Sequence, residues 1–182
     1  MDFWEIYDRY YARVRGYAAS MLRDGSTSDD VVQETFLRGQ SHLESVREPD
    51  KAAAWLFRVA HNLCMDHLRS RQASRIDAAA DVETARAAHV EACVQSELER
   101  GEMSACVRAK VDQLPETDRS IILLCDIAGL SQAEIAHVLG IEVGAVKVRL
   151  HRARKKLRAV LESACSFERD GRNVLVCEPK EP

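Results

Sequence analysis

Apolar residues recur three and four positions apart in three segments of residues 1–72, and this spacing predicts three helices. The first is expected over residues 3–23, with an apolar stripe of Trp4, Tyr7, Tyr11, Val14, Ala18 and Leu22. The second is expected from Asp29 to His42 behind a Ser28 cap, and its inner side is Val31, Val32, Thr35 and Phe36. The third is expected from Lys51 to Arg71, with an inner stripe of Trp55, Leu56, Val59, Leu63 and Leu68.

The helical pattern returns in residues 99–163, which predict a second unit. One helix ends before Pro115, and its apolar positions are Val107, Val111 and Leu114. The next covers Glu116–Ala128 and directs four residues inward: Ile121, Ile122, Leu124 and Cys125. Residues 73–98 are Ala-rich, acidic and without a clear apolar face, which indicates a flexible or loosely helical linker. We therefore expect an all-α chain, with two small helical domains, 1–72 and 99–163, joined by this linker.

Residues 130–158, LSQAEIAHVLGIEVGAVKVRLHRARKKLR, have the features of a helix-turn-helix. Ser131 and Glu134 form a capping box at the start of a short helix, and Gly140 suits the left-handed conformation that ends it. Ala136 is small where the two helices must cross closely, and Ile141 fills the gap between them. A longer helix follows, and its buried stripe is expected to be Val143, Val146, Leu150, Ala153 and Leu157.

The tail, residues 164–182, predicts a short β-hairpin. Asp170-Gly171, between SFER and RNVLV, is a two-residue hairpin signal. Pairing across that turn would set Cys165 opposite Val176, beside Cys177. Two neighbouring thiols suggest metal binding or redox chemistry.

The composition favours a packed helical protein inside the cell. The chain is 46% hydrophobic, 30% charged and 5% aromatic, with 8 Gly and 4 Pro, so wholesale disorder is not expected. No window approaches 18 consecutive apolar residues, which argues against a membrane span. The acidic start has no apolar run behind a basic segment, which argues against a secretory signal. We therefore expect a cytoplasmic protein whose six cysteines are reduced.

The net charge of −3 conceals a local excess of positive charge. Residues 131–162 carry 7 Lys or Arg and only 3 Asp or Glu. With the apolar stripe of the last helix buried, the opposite face presents Lys147, Val148, His151, Arg152 and Lys155, flanked by Arg149, Arg154, Lys156 and Arg158. The first part of such a helix can enter the major groove, and the later cations can meet phosphates. This favours DNA binding over a basic helix on a protein-binding domain.

Three segments resemble parts of the extracytoplasmic-function sigma factors of bacterial RNA polymerase. DDVVQETFLRG at 29–39 is similar to the core of their region 2, and WLFRVAHNLCMDHLRSR at 55–71 is similar to the rest of that region. Residues 114–158, which contain the helix-turn-helix, are similar to region 4. The resemblance covers both predicted units in the expected order. It implies a protein that directs polymerase to promoters and catalyses nothing itself.

The resemblance implies roles for residues of the first unit. Five of them match the helix that docks on the β′ clamp helices of core polymerase: Asp30, Gln33, Glu34, Leu37 and Arg38. Val46 and Asn62 fall where the family captures an unstacked base of the −10 element, and an Asn can both donate and accept at a base edge. Basic side chains around them could hold the phosphates of the single strand: Arg58, His61, His67, Arg69 and Arg71.

In the second unit, which relatives attach to the β flap of polymerase, the resemblance implies a face that reads the −35 element. Its residues are Lys147, Val148, His151 and Arg152, with Arg149 and Lys155 beside them. Two positions depart from the family. Glu142 stands where a small residue or Pro is common, and it could cap the helix or repel a phosphate. Val148 stands where Ser is common, and it could contact a thymine methyl but not donate a hydrogen bond.

The cysteines fall into two groups. Cys64 and Cys125 occupy apolar positions, so we expect them in the core. Cys165 and Cys177 lie on a tail that resembles the Cys-bearing extensions with which some family members sense metals, which suggests a Zn²⁺ or Cu²⁺ site or redox control. Weaker candidates are His89, Cys93 and Cys106, of which the first two are more simply an ordinary exposed pair. Promoter recognition itself requires no cofactor.

Three alternatives differ in their expected behaviour. A stand-alone helix-turn-helix regulator, with residues 1–98 as sensor, would bind its operator without core polymerase. An enzyme would need a catalytic motif, and no P-loop, dinucleotide-binding turn, paired catalytic carboxylates or HExxH occurs. An adaptor with a degenerate helix-turn-helix would keep its function when Arg152 or Asn62 is replaced. Control by an anti-sigma factor, as in many relatives, stays open at this point.

Overall fold

The computed structural model describes residues 2–43, 49–77, 107–169 and 175–179 of the 182-residue chain. Its labelled elements are α1 (Phe3–Leu22), α2 (Gly25–Leu43), α3 (Pro49–Asp77), α4 (Glu116–Asp126), α5 (Gln132–Leu139), α6 (Val143–Ala164), β1 (Cys165–Arg169) and β2 (Leu175–Pro179). Residues 107–111 are also helical. The fold is therefore helical, as predicted, and a two-stranded hairpin follows the last helix in the chain.

Helix α1 packs along α2 and α3 to form the first unit. A capping box stabilises its start, since the Glu5 N–H donates to the Asp2 carboxylate and the Asp2 N–H donates to the Glu5 carboxylate, both at 2.8 Å. The predicted helix is confirmed, although two members of its apolar stripe, Trp4 and Tyr11, are 67% and 36% exposed. The side chains buried on α1 are Ile6, Tyr10, Val14, Tyr17, Ala18, Met21 and Leu22. The buried face is displaced because α4 also packs on α1.

Helix α2 begins four residues before the predicted start at Asp29, so the expected Ser28 cap is wrong. The Ser28 N–H donates to the Asp24 carbonyl at 2.9 Å, which starts the helix at Gly25. The Ser28 side chain is buried inside the first turn, where its hydroxyl donates to the Gly25 carbonyl at 2.8 Å. The predicted inner side is confirmed, because its four residues are buried: Val31, Val32, Thr35 and Phe36.

Helix α3 is longer than predicted and packs through smaller residues. It runs from Pro49 to Asp77, so it includes the first residues assigned to the linker, while residues 78–98 lie outside the described part of the chain. Its buried residues are Ala52, Ala53, Ala54, Leu56, Phe57, Ala60 and Cys64. Of the predicted stripe, four members are only half-buried: Trp55, Val59, Leu63 and Leu68. The small alanine side chains let the helices approach closely. The predicted stripe consisted of large apolar residues, so it did not include these alanines.

The second unit contains residues 107–111, α4, α5 and α6. The preceding helix ends at residue 111, before Pro115 as predicted, and Pro115 stands at the N-cap position of α4. Val111, Leu114 and the inward residues of α4 are buried, except Cys125, which is half-buried. Helix α4 also buries two polar residues, Arg119 and Ser120, which the apolar pattern did not single out.

The helix-turn-helix has the predicted local structure. The Ser131 N–H donates to the Glu134 carboxylate at 2.7 Å, which closes the capping box on α5. Gly140 ends that helix with φ of 64°. The Ile141 N–H donates to the carbonyl of the buried Ala136 at 3.0 Å. On α6, the buried residues are Val146, Leu150 and Ala153, with Leu157 half-buried. The stripe is wrong at its first position, since Val143 is 39% exposed.

The strands β1 and β2 pair antiparallel, but not in the predicted register. Arg169 pairs with Leu175, so five residues separate the strands instead of a two-residue turn. Cys165 consequently lies opposite Pro179 and not Val176. The predicted register came from the two residues Asp170-Gly171 alone, whereas the observed register depends on pairing along the whole length of both strands.

The two units share one core. Helix α1 contacts α4, and α3 contacts α5. Buried apolar residues from both units form a single cluster. The described parts of the two units are thus packed directly on each other.

Candidate functional site

The helix-turn-helix presents its predicted DNA-contacting side chains to solvent. These residues of α6, which we call the reading face, are all exposed: Lys147, Val148, Arg149, His151, Arg152 and Lys155. The opposite side of α6 is buried against α4 and α5 through Val146, Leu150 and Ala153. Core packing therefore fixes the orientation of the helix, which is what insertion into a major groove requires.

The cations of α6 divide into paired and unpaired groups. Three of them bond to carboxylates of the same unit: Arg154 to Asp126 at 2.8 Å, Lys156 to Asp118, and Arg158 to Glu162 at 2.6 Å. Among the described residues, the four cations of the reading face form no ion pair: Lys147, Arg149, Arg152 and Lys155. Because no carboxylate pairs with them, these four cations are available to phosphates.

The two departures from the family pattern lie at the reading face. Glu142 occupies the N-cap position of α6, but its side chain makes no capping hydrogen bond, so the capping role is wrong. Its exposed carboxylate leaves a negative charge at the edge of the reading face. Val148 is 49% exposed and offers only apolar contact.

The candidate polymerase surface is a strip along α2. Its predicted residues lie together and are exposed or half-buried: Asp30, Gln33, Glu34, Leu37 and Arg38. Arg38 Nε bonds to Glu34 Oε1 at 2.7 Å, while Leu37 is 54% exposed. A shallow groove separates the strip from Leu63 and His67 of α3. The structure thus adds two residues that the sequence had assigned to the core and to DNA phosphates.

The residues predicted to bind the −10 element are not all accessible together. Arg58 and Asn62 are exposed on α3, as are the more distant basic residues His67, Arg69 and Arg71. His61 is half-buried, and Val46 lies outside the described residues. The described residues therefore do not form one open strand-binding face that includes His61.

His61 belongs to a polar cluster that joins the two units. Its Nδ1 lies 2.9 Å from Tyr17 Oη and 3.1 Å from Ser120 Oγ, and the two hydroxyls are 3.1 Å apart. Burial, with a smaller contribution from the positive charge of Arg69, lowers the pKa of His61 to about 4. Burial also raises the pKa of Tyr17. At neutral pH the hydrogen bonds therefore join uncharged groups.

Sequence reasoning missed the second unit's contribution to this cluster. Arg119 is 4% exposed, and its Nη2 donates to the Met21 carbonyl at 3.1 Å. Its Nε is buried without a hydrogen-bond partner among the described residues, and burial lowers its pKa. The available signal was the pair Arg119-Ser120 directly before the apolar run Ile-Ile-Leu-Leu, on a helix with a buried face.

Cys64 and Cys125 differ in their surroundings. Cys64 is buried, as predicted, and burial raises its pKa to about 12, so its thiol stays protonated. Cys125 is only half-buried and accepts a hydrogen bond from Arg154 Nη2 at 3.5 Å. Burial is the main reason that its pKa is also raised.

The arrangement of metal-ligating side chains in the described residues does not support the metal hypothesis. Cys165 is buried at the start of β1 and pairs with Pro179 on β2. Cys177 lies on β2 two positions before Pro179, so the two cysteines are not directly opposite each other. Within the described ranges, no three His, Cys, Asp or Glu side chains are grouped so that they could hold an ion. The remaining candidates lie outside those ranges: His89, Cys93 and Cys106. Control by metal or oxidant stays a prediction.

None of the helices in the described residues is both long and apolar enough to cross a bilayer.

Two family models match the chain, one for each helical unit. The model described as Sigma-70 region 2 matches residues 6–74, and the model described as Sigma-70, region 4 matches residues 104–157. Their order is the one that the sequence segments predicted.

Similar proteins cover most of the chain. RNA polymerase sigma factor SigZ of Bacillus subtilis (strain 168) is 31% identical, over 93% of this chain and 93% of its own length. The ECF RNA polymerase sigma factor EcfG of Rhodopseudomonas palustris (strain TIE-1) is 33% identical, over 81% of this chain and 78% of its own.

Solved structures agree. CnrH in complex with the cytosolic domain of CnrY is 31% identical, with a TM-score of 0.63 over 88% of each chain. The sigma factor RpoE in complex with the anti-sigma factor NepR from Bartonella quintana has a TM-score of 0.70, over 88% of this chain and 97% of that one. At 23% identity, that second likeness supports the fold alone.

Proposed function

The chain belongs to the extracytoplasmic-function sigma factors of the sigma-70 family, and we propose that its two helical units divide promoter recognition between them. As a sigma factor it binds core RNA polymerase and directs the initiation of transcription at promoters. We assign the −10 element and the β′ clamp contact to the first unit. We assign the −35 element and the β flap contact to the second.

The observation that carries this division is the unpaired, exposed reading face on a helix held by core packing. Arg149 and Lys155 have their charges free for backbone phosphates, which position a protein on the duplex. Lys147 and Arg152 can reach acceptors on guanine in the major groove. Val148 can contact a thymine methyl group, so the preferred −35 sequence should include a thymine at that position.

The strip on α2 suits polymerase binding because it mixes apolar and polar contacts. Leu37 is more than half exposed, and Asp30, Gln33 and Glu34 surround it. An apolar anchor with a polar rim is the composition of specific, reversible protein interfaces. The groove beside it, lined also by Leu63 and His67, would receive the partner helices.

For the −10 element, we propose that Asn62 binds an extruded base and Arg58 binds a phosphate. Both side chains are exposed and lie one helical turn apart, so one strand can meet both. The Asn62 amide supplies both a donor and an acceptor, which base-edge recognition uses. His61 joins them only if its contact with the second unit is released.

The mechanism is recruitment without a reaction of its own. Each unit binds its promoter element weakly, and mounting both on one polymerase raises the effective concentration of the second contact. The protein acts in the cytoplasm, where it meets polymerase and DNA. Because CnrH is solved with the cytosolic domain of CnrY, we also propose that this chain is held by an anti-sigma factor. Metal or redox control through Cys165 and Cys177 is a further proposal.

Run-off transcription with purified core polymerase on a genomic fragment library tests the proposal. We expect discrete transcripts only when core polymerase and this chain are both present. Asn62→Ala should reduce transcription strongly, whereas Gln72→Ala, an exposed polar residue on the same helix, should not. Parallel reactions with added Zn²⁺ or Cu²⁺ and with Cys165→Ser test metal control. Operator binding without polymerase, and no transcription with it, would contradict the assignment.

A further inference from the structure

One carboxylate in the described part of the second unit, residues 107–164, has no partner. Glu142 is exposed at the N-cap position of α6, where its side chain makes no capping hydrogen bond and no ion pair. Every other acidic side chain in this range bonds to a named group or acts on one electrostatically; these residues are Asp112, Glu116, Asp118, Asp126, Glu134 and Glu162. No bond within the described residues thus accounts for the Glu142 carboxylate.

The backbone holds Glu142 at a fixed place beside the reading face. On one side, the Ile141 N–H donates to the Ala136 carbonyl at 3.0 Å, and the Ile141 side chain packs on the core. On the other side, the Glu142 carbonyl accepts from the Val146 N–H at 3.1 Å. Arg58 lines the same open groove as Glu142 but is not paired with it. Because the backbone is anchored on both sides, only the exposed side chain can adjust its position.

This place is where a recognition helix reaches bases. The first residues of the second helix of a helix-turn-helix contact base edges in the major groove. Glu142 directly precedes that helix and lies six positions before Val148 of the reading face. Six residues of helix span about 9 Å, which is roughly three base-pair steps of ~3.4 Å. Glu142 and Val148 are therefore spaced to meet base pairs of one short element.

A carboxylate distinguishes the four bases because it only accepts hydrogen bonds. In the major groove, cytosine offers its N4 amino group as a donor. Adenine also offers an amino donor but places the N7 acceptor beside it, while guanine offers two acceptors. Thymine presents an acceptor and a methyl group. Cytosine is therefore the base that attracts the Glu142 carboxylate without an acceptor on the same base that repels it.

The negative charge of Glu142 also weakens binding to other DNA. The four unpaired cations of the reading face attract phosphates irrespective of sequence. A carboxylate at the edge of this face opposes that attraction on every duplex, and a base donor compensates for it only at the right sequence. Glu142 thus lowers non-specific binding more than specific binding, which increases the difference between the two.

We propose that Glu142 is a specificity-determining residue of the second unit and accepts a hydrogen bond from cytosine N4 in the −35 element. The inference rests on the proposed reading of that element by the second unit. The cytosine lies within about three base pairs of the thymine that Val148 contacts. Guanine and thymine are disfavoured at its position.

Selection from a duplex library randomised in the −35 element tests this assignment, with holoenzyme assembled from core polymerase and the full-length chain. With wild type, we expect one position to prefer cytosine over guanine or thymine by at least about fivefold. Glu142→Gln should move the preference at that position from cytosine to adenine, because a Gln amide pairs with adenine N6 and N7. Glu142→Ala should remove the preference.

The matched control is Glu162→Gln, which removes the same charge from the other end of the same helix, where Glu162 pairs with Arg158. This control should leave every base preference unchanged, and an equal change in it would overturn the proposal. Thermal unfolding is followed in parallel, because a carboxylate at a helix N-terminus also stabilises the helix through its dipole. A lower Tm of Glu142→Gln with an unchanged base preference would show that structural role alone and would also overturn the proposal.

Two further results are separable. If Glu142→Ala does not fold, Glu142→Gln alone decides, since it keeps the size of the side chain. If wild-type holoenzyme selects no −35 sequence at all, the assignment of that element to the second unit is refuted, and the role of Glu142 is refuted with it. Selection of a −35 sequence that Glu142→Gln leaves unchanged refutes only the role of Glu142.

Discussion

Helices α3 and α6 both carry residues assigned to promoter DNA, yet their surroundings differ. The reading face on α6 is exposed, and among the described residues its cations make no ion pair. On α3, Arg58 and Asn62 are exposed, but His61 is held between the two units. Duplex reading therefore needs no rearrangement of the second unit, whereas full access to the −10 surface needs the units to separate.

The contrast matches the chemistry of the two DNA forms. A duplex offers its base edges in a groove that a rigid helix can enter. An extruded base must be taken into a site that surrounds it, and melting occurs only on polymerase. Contact of a melted strand with His61 therefore requires release of the hydrogen bonds that His61 makes with Tyr17 and Ser120.

Acidification should remove the difference between α3 and α6, because protonation of His61 destabilises its contact with the second unit. This is the largest effect on stability that we expect. The hydroxyls of Tyr17 and Ser120 face His61, and the positive charge of Arg69 also acts on it. Behind them, Cys64 and Arg119 interact with Tyr17. Its pKa in the folded protein, about 4, is below the ordinary 6.5, so the unfolded chain binds more protons between these values. The contribution of His61 to stability is therefore complete above pH 6.5 and declines as the pH falls toward 4, by at most about 3 kcal/mol.

Chemical denaturation of wild type and His61→Gln between pH 7.5 and 4 provides the measurement. Carboxylates titrate in both proteins, so the difference between the two curves isolates His61. Parallel curves would show that His61 has an ordinary pKa and that the cluster is open in solution.

Arg152→Ala should sharpen the contrast at the other site. Loss of one major-groove contact costs about 1–3 kcal/mol, or roughly 5- to 150-fold in specific affinity. Arg158→Ala removes the same charge from the same helix, but Arg158 is bonded to Glu162, so its effect should be smaller. Titration of polymerase holoenzyme with promoter DNA separates the two variants, and equal losses would indicate that only total charge matters.

Two glycines of the helix-turn-helix should respond in opposite directions to alanine. Gly140 has φ of 64°, which costs an L-residue about 1 kcal/mol, although the added Cβ would meet no atom within 4 Å. Gly144 also has open space but lies in the first turn of α6, where alanine should stabilise by up to about 1 kcal/mol. Thermal unfolding measures both, and two shifts of the same sign would contradict the turn geometry.

Val148→Ser should have the smallest energetic effect but change sequence preference. The side chain is exposed, so folding stability should move by less than about 0.5 kcal/mol. The hydroxyl can donate to a base edge, and the thymine-methyl contact is lost. Selection from a randomised −35 duplex library should show the change at one position. An unchanged preferred sequence would place Val148 away from the bases.

Much of the fold could be predicted from the sequence because helix ends depend on a few neighbouring residues. The Ser131 and Glu134 capping box, Pro115 before α4 and Gly140 after α5 act within a few residues, so they follow from short stretches of sequence. The buried stripe of α6 was predicted except at Val143 because this helix packs mainly on one side. The reading face follows directly, since it is the side that the stripe leaves exposed.

The faces of α1 and α3 were harder to predict because both helices pack against more than one neighbour. Trp4 and Tyr11 are large and correctly spaced, yet they are exposed, while alanines fill the close contacts of α3. The hairpin register failed for a related reason, since pairing of complete strands outweighs the local preference of a turn.

The sequence by itself determined the existence and order of the helices, the helix-turn-helix, the exposed basic face and the family. Only the tertiary structure decided that His61 is covered and that Arg13 and Arg119 cap helices of opposite units. The Arg13 and Arg119 contacts join residues 115 and 98 positions apart, and His61 lies 59 positions from Ser120 in the chain. Their partners are backbone carbonyls and single hydroxyls, which no periodic pattern marks, so the contacts become visible only when the units are packed together.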